Sequence, residues 1–247
     1  MESPPYVIEI ATSDFATTQS AVEGGASRIE LCANLAEGGT TVSYGHLKKC
    51  REAFSLPIFP IIRPRGGDFL YTAEEFDIML RDVQTCKDLG LDGVVLGLLN
   101  KDGSIDTART AVLVNAAYPL SVTFHRAFDR CAEPFHALEE LIEMGCERIL
   151  TSGQQFTAPE GMALIAELNR AAADRIIIMP GSGVRKENIA MLRDITGCVE
   201  FHSSLRGTHP SAMEYQHPVF GQSADTNVNN AIDPAEVLAL RDALSKN

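Results

Sequence analysis

Short runs of β-branched and aliphatic residues alternate with longer segments whose apolar positions recur at helical spacing, and this alternation runs from one end of the chain to the other. It predicts strands at Val7 to Ala11, Arg28 to Cys32, Pro57 to Arg63, Gly93 to Leu99, Ser121 to Ala127, Arg148 to Ser152, Arg175 to Gly181 and Cys198 to Ser204, each followed by a helix. Several helices are expected to stop at a glycine that leads into the next strand, as in EMGCERIL, DLGLDGVV and ITGCVEF. Asp14, Thr72, Asp106 and Asp233 stand where helix N-caps belong. Eight β/α units in 247 residues predict an α/β protein, a single-domain (β/α)8 TIM barrel over residues 1–247. A doubly wound open sheet is the second architecture. The first strand runs into ATSDFATT, without the glycine fingerprint that a dinucleotide-binding sheet would carry there.

Side chains alternate along a strand, so if Ile8, Ile10, Ile29 and Leu31 face the helices, Glu9, Glu30 and Cys32 face the barrel interior. The same alternation groups Thr123 with His125 and Glu200 with His202. Barrel enzymes keep their chemistry at the C-terminal ends of the strands, where Glu9, Glu30, Arg63, His125, Glu200 and His202 are expected to converge. Glu30, His125, Glu9 and His202 are the candidate catalytic residues, with Glu30 or His125 as general base. The alternative is structural: the acids are fixed partners of Arg28, Arg63 and Arg126 in a buried ion-pair network.

Strand-like stretches also run straight into cations, in IIRPRGGDF and VTFHRAFD. A buried arginine needs a carboxylate, a bound anion or water. Arg63, Arg65 and Arg126 are therefore candidate anion ligands, bidentate to phosphate or carboxylate. The loop after strand seven (Gly181, Ser182, Gly183) and Ser203 in strand eight would supply backbone amides for the phosphate grip usual in this fold. Lys48, Lys49, Lys87, Lys101, Lys186 and Lys246 all fall on predicted helices or loops, so no strand end offers a Schiff-base amine.

A net charge of −12 argues against a nucleic-acid partner. Small anions remain compatible with it, because local arginines outweigh global charge. No stretch has the length of a membrane span, and MESPPYVIEI lacks the basic and apolar regions of a secretory signal. Six scattered cysteines without a C-x-x-C pair read as thiols of a reduced, cytoplasmic protein. The polar stretch from Leu205 to Ile232 is expected to be the longest irregular segment, a lid, a solvated loop or an oligomer contact.

Cys32, at the end of strand two, is a candidate soft ligand for Cu(I), with Met179 as a thioether on another strand. The segments IELCANLAEGGTT, PIIRPRGGDFLYT, TFHRAFD, RILTSG and EFHSS occur in order along the chain. They resemble the signature segments of the CutC copper homeostasis family. The resemblance implies a TIM-barrel-like fold, a cytosolic homo-oligomer (dimer or tetramer), and a link to copper tolerance and Cu(I) binding. Its motif positions here are Glu30, Cys32, Asn34, Arg63, Arg65, Asp68, His125, Arg126, Asp129, Thr151, Ser152 and His202. Many relatives pair the strand-two cysteine with another at the end of strand one, where this chain has Ala11. Two expectations follow: a copper-homeostasis protein binding Cu(I) through Cys32, or a barrel enzyme of lyase or isomerase type acting on a small phosphorylated or carboxylated metabolite.

Overall fold

Eight short parallel strands form the wall of the barrel in a computed structural model that describes residues 6–215, 217, 219 and 227–245. They are β1 (Val7–Thr12), β2 (Arg28–Leu31), β3 (Ile58–Pro60), β4 (Gly93–Leu96), β5 (Ser121–Phe124), β6 (Arg148–Thr151), β7 (Ile177–Pro180) and β8 (Glu200–Ser203). Hydrogen-bonded ladders run in the orders β3-β2-β1-β8 and β4-β5-β6-β7. A parallel bridge from Ile61 to Val95 links β3 to β4, and β7 lies beside β8, so the wall closes as a (β/α)8 barrel.

The outer ring of helices is α1 (Phe15–Glu23), α2 (Tyr44–Ala53), α3 (Ala73–Asp88), α4 (Thr107–Ala117), α5 (Pro134–Glu143), α6 (Ala158–Ala172), α7 (Ile189–Thr196) and α8 (Pro234–Ser245). The expected caps are in place. Asp14 accepts the Thr17 N–H at 2.8 Å, Thr72 and Glu75 form a reciprocal capping box, and Asp106 accepts from Arg109. Asp233 accepts the Ala235 N–H. Such a cap is worth about 1 kcal/mol. None of the described helices is long and apolar enough to cross a membrane.

Alternation divides each strand between two environments. Ile8, Ile10, Ile29, Leu31, Ile58, Phe124, Ile149 and Phe201 are buried in the large apolar cluster shared with the helices. Burying such a side chain contributes roughly 1.5–3 kcal/mol. The interior positions carry Glu9, Arg28, Glu30, Thr123, Arg148, Glu200 and His202, all buried.

The ladders are shorter than the apolar runs suggested. β3 ends at Pro60 and β5 at Phe124, because the strands diverge into loops at the C-terminal mouth. Ile62 and His125 still donate single backbone bonds to Val95 and Leu96, so the side chains beyond the ladder stay fixed. Of the stretch from Leu205 to Ile232, residues 216, 218 and 220–226 lie outside the described residues; in the rest, β9 (Gly207–Pro210) and β10 (Val228–Ala231) pair antiparallel, a pairing that was not expected. Polar residues such as Thr208, His209, Asn229 and Asn230 hide that pairing, because no apolar alternation marks a strand exposed on both faces.

Candidate active site

A fully buried ion-pair network forms the floor of the site. Glu9 lies between Arg28 in β2 and His202 in β8, its registered neighbours on either side. Its Oε2 accepts from Arg28 Nε at 2.5 Å and its Oε1 lies 2.7 Å from His202 Nδ1. Arg28 continues to Glu200 at 2.5 Å, and Arg148 donates to the same carboxylate at 2.7 Å and to Thr123 at 3.2 Å. The Phe59 ring sits against both guanidinium groups, 5.1 Å from Arg28 and 5.5 Å from Arg148. Burial works to raise the Glu9 carboxyl, but Arg28 and then His202 hold it well below the usual carboxylate range. The structural alternative thus describes Glu9 and Glu200, whose partners are Arg28 and Arg148.

Glu30 sits one step closer to the mouth and has no arginine of its own. Its Oε2 lies 3.7 Å from His202 Nε2, and the Cys32 thiol donates to its carboxylate. Burial pushes the Glu30 carboxyl up to about 7, with His202 opposing and Glu9 adding to the rise. Burial alone would lower the His202 imidazolium, but the Glu9 hydrogen bond and the charges of Glu30 and Glu9 raise it. A carboxyl near neutrality beside an imidazole stabilised as its cation has the chemistry to exchange protons with a ligand.

His125 is different. Its Nδ1 accepts the Ala127 N–H at 3.2 Å, which requires a lone pair there and places the ring proton on Nε2. Burial, with Arg63 adding to it, brings the imidazole down to about 3, so the ring is neutral. Nε2 is buried and has no hydrogen-bond partner among the described residues.

Arg63 is 4% exposed and its guanidinium donates to the carbonyls of Glu37, Gly39 and Gly67. It stacks on the Phe69 ring at 5.0 Å, and that ring lies 4.9 Å from His125. Among the described residues no carboxylate oxygen comes within 4.0 Å of this cation. Glu30, Arg63, Phe69, His125 and His202 all line one cavity of about 140 Å³, with Ile61 and Leu150 as apolar wall. A wider recess of about 490 Å³ continues from it across Arg63, Phe69 and Arg126.

The far wall is built by the β7 and β8 loops. Ser182 and Gly183 both take positive φ, 73° and 72°, and Ser182 adopts it as a non-glycine residue at local cost. Among the described residues, the N–H groups of Ser182, Gly183 and Ser204 have no acceptor in the protein. Ser182, Gly183, Ser203, Ser204 and Arg206 line the cavity. Gly181 does not, but it makes room for it: a Cβ there would lie 2.4 Å from Leu150 and 3.3 Å from His202.

The other expected cations diverge. Arg126 reaches the mouth and is braced by Asp129 at 2.8 Å and Ser152 at 2.8 Å. Arg65 does not line either cavity; it binds Glu75 at 2.5 Å and Asp68 at 3.0 Å on the surface.

With this geometry in view, comparison with known proteins places the chain. The CutC family model matches residues 6–207. The chain belongs to the CutC family. A family protein CutC from Chromobacterium violaceum is 52% identical over 243 residues, covering 97% of this chain and 98% of the relative. The crystal structure of a candidate copper homeostasis protein CutC from Streptococcus agalactiae is similar at 33% identity and a TM-score of 0.77, covering 81% of this chain and 98% of that one. A thiamine phosphate pyrophosphorylase from Pyrococcus furiosus, 13% identical with a TM-score of 0.59 over 97% of this chain and 96% of its own, shares the fold.

The copper expectation attached to the CutC resemblance rests on Cys32 and Met179. Cys32 is 1% exposed, and burial, with Glu30 next, pushes its thiol well above its ordinary value in the metal-free protein. Met179 turns its sulfur to Arg28 Nη2 at 3.3 Å. No group of three or more His, Cys, Asp or Glu among the described residues could hold a metal. Arg148, the second partner of Glu200, was not expected from the sequence; it is the first residue of β6, and the same alternation that places Arg28 indoors would have found it.

Proposed function

We propose that this CutC-family protein is an enzyme that transfers protons on a small anionic metabolite, of lyase or isomerase type, with Glu30 and His202 as its acid–base pair and Arg63 as its anion ligand. The observation that carries the reading is the state of Arg63. Arg28 and Arg148, equally buried, each have Glu200, and Arg28 also has Glu9. Among the described residues Arg63 has carbonyl dipoles, the Phe69 ring face and the Tyr71 hydroxyl but no carboxylate, so its charge is left for something that enters the cavity. A phosphate or carboxylate fits, and the free amides of Ser182, Gly183 and Ser204 face the same kind of group.

The experiment is a melting-temperature screen against phosphorylated and carboxylated metabolites, run on the wild type, Arg63→Ala and Arg63→Lys. Ligands that raise the wild-type melting temperature should lose most of their effect in Arg63→Ala and keep part of it in Arg63→Lys. Stabilisation that survives Arg63→Ala places the anion elsewhere, and a screen with no stabilising anion removes the reading. The copper link named for the S. agalactiae relative comes to this chain through family membership, with Cys32 as the thiol beside the cavity residue Glu30.

A further inference from the structure

Resting on that reading, we propose that the site enolises a short hydroxycarbonyl compound with a terminal phosphate or carboxylate, using Glu30 as the base and the Nε2–H of neutral His125 as the donor to the carbonyl oxygen. The two histidines of the cavity have separate duties. His202 is engaged on both nitrogens, by Glu9 and Glu30, and serves the carboxylates. His125 offers one group, a buried N–H with no acceptor among the described residues.

A buried donor left without a partner costs free energy unless a ligand oxygen or water meets it. Arg63 stands beside it, and Phe69 packs against both side chains. A neutral imidazole is a suitable donor to a developing enolate oxygen, because its acidity approaches that of the enol and no charge has to be moved on the donor. Glu30, pushed up to about 7, is a stronger base than an ordinary carboxylate and still partly ionised at neutral pH.

In the step itself, the C–H bond next to the carbonyl breaks and its proton goes to a Glu30 oxygen. The bonding pair becomes the new C=C bond, and the carbonyl π pair moves onto the oxygen that accepts from His125 Nε2–H. Return of the proton from Glu30 to the former carbonyl carbon, with the hydroxyl proton passing from the adjacent oxygen to the oxygen held by His125, gives the isomer. Return to the same carbon after Glu30 has traded its proton with solvent gives exchange. No oxidant, reductant or second substrate enters.

The cavity sets the size. About 140 Å³ is close to the space that a benzene-sized guest fills, so the enclosed part of the substrate has on the order of six to ten non-hydrogen atoms. Ile61, Leu150 and Phe69 exclude water from around the enolate, which protects such an intermediate from side reactions.

The test uses dihydroxyacetone phosphate, erythrose 4-phosphate and hydroxypyruvate as probes in deuterium oxide. Proton NMR follows loss of the hydrogen next to the carbonyl, and calorimetry measures binding. The expected result is enzyme-dependent deuterium uptake by at least one probe, with the phosphate and carboxylate arms showing which anion is held. Glu30→Gln should slow uptake about 10²- to 10⁴-fold. His125→Ala should slow it about 10²-fold or more, and His125→Gln, which restores an N–H donor, should recover part of it. Probes that bind with Arg63 dependence but never exchange overturn the enolisation and leave the anion site standing. Exchange that is unchanged in Glu30→Gln also overturns it. If no probe binds, both this inference and the anion site it rests on fall.

Discussion

The Glu9 carboxylate and the His202 imidazole, 193 residues apart in the chain, meet at 2.7 Å across the seam where β1 joins β8. Glu9 is the hinge of the whole polar interior, because its other oxygen holds Arg28 and through it Glu200 and Arg148. Glu9→Gln removes one negative charge from a fully buried network that keeps its cations. The expected cost is on the order of 3 kcal/mol, read as a lower urea midpoint at pH 7. In the same variant the His202 titration, followed by NMR, should move down, since its strongest raising partner is gone.

The pH profile of stability follows from the directions of four shifts. Glu30 is raised from 4.5 to about 7, so the folded protein keeps a proton that the unfolded chain releases, and stability falls as pH rises through that window. His202 is raised above 6.5 and acts in the same sense: its contribution is complete below 6.5 and is lost as pH rises through the folded value. Glu9 is lowered below 4.5 and acts on the other side, its contribution being lost as pH falls from 4.5. His125 is lowered from 6.5 to about 3 and opposes Glu30, its contribution being complete above 6.5 and lost as pH falls. The two largely offset one another between about pH 5 and pH 6.5, and the net fall, on the order of 1 kcal/mol, is expected between about pH 6.5 and pH 8. Denaturation of Glu30→Gln at the same two pH values should show a smaller drop; an equal drop assigns the alkaline limb to other groups.

How far the sequence foretold this site depends on what each residue does. The strands were legible because a barrel strand is buried on both faces and reads as a short apolar run. Period-two alternation then sent Glu9, Glu30, Glu200 and His202 indoors, where they are found. Alternation ends where the ladder ends, and that explains Arg65: beyond Pro60 the chain turns through Pro64, Gly66 and Gly67, and Arg65 swings out to Glu75. Pairing was also not legible. Which cation meets Glu200, and that no carboxylate among the described residues meets Arg63, depend on the stagger of strands far apart in the chain.

Cu(I) affinity is expected to be indifferent to Cys32. The thiol is enclosed by Phe59, Ile61 and Val95 and donates to Glu30, so a Cys32→Ser variant should match the wild type in an anaerobic competition titration against a chromogenic chelator. Tight stoichiometric binding by the wild type that disappears in Cys32→Ser would mean that β2 opens to admit the ion, and would restore the copper reading.

Gly97 offers the sharpest probe of His125, because it sits against the ring without supplying any group to the chemistry. A Cβ at this position would lie 2.5 Å from His125 Nδ1, 2.6 Å from Cε1 and 3.0 Å from the Ala127 Cβ. The ring cannot retreat freely, since Phe69 packs on it at 4.9 Å and the Ala127 N–H holds Nδ1. Gly97→Ala must therefore displace the imidazole, at a cost of roughly 1–3 kcal/mol for overpacking. The donor Nε2–H moves with the ring, while Glu30, His202 and Arg63 keep their own partners. The expected outcome is a protein that still binds the anionic ligands of wild type within a few-fold, but whose deuterium exchange falls about 10²-fold. Parallel loss of binding and exchange, with the fold intact by circular dichroism, would show instead that His125 works in holding the ligand and not in its enolisation.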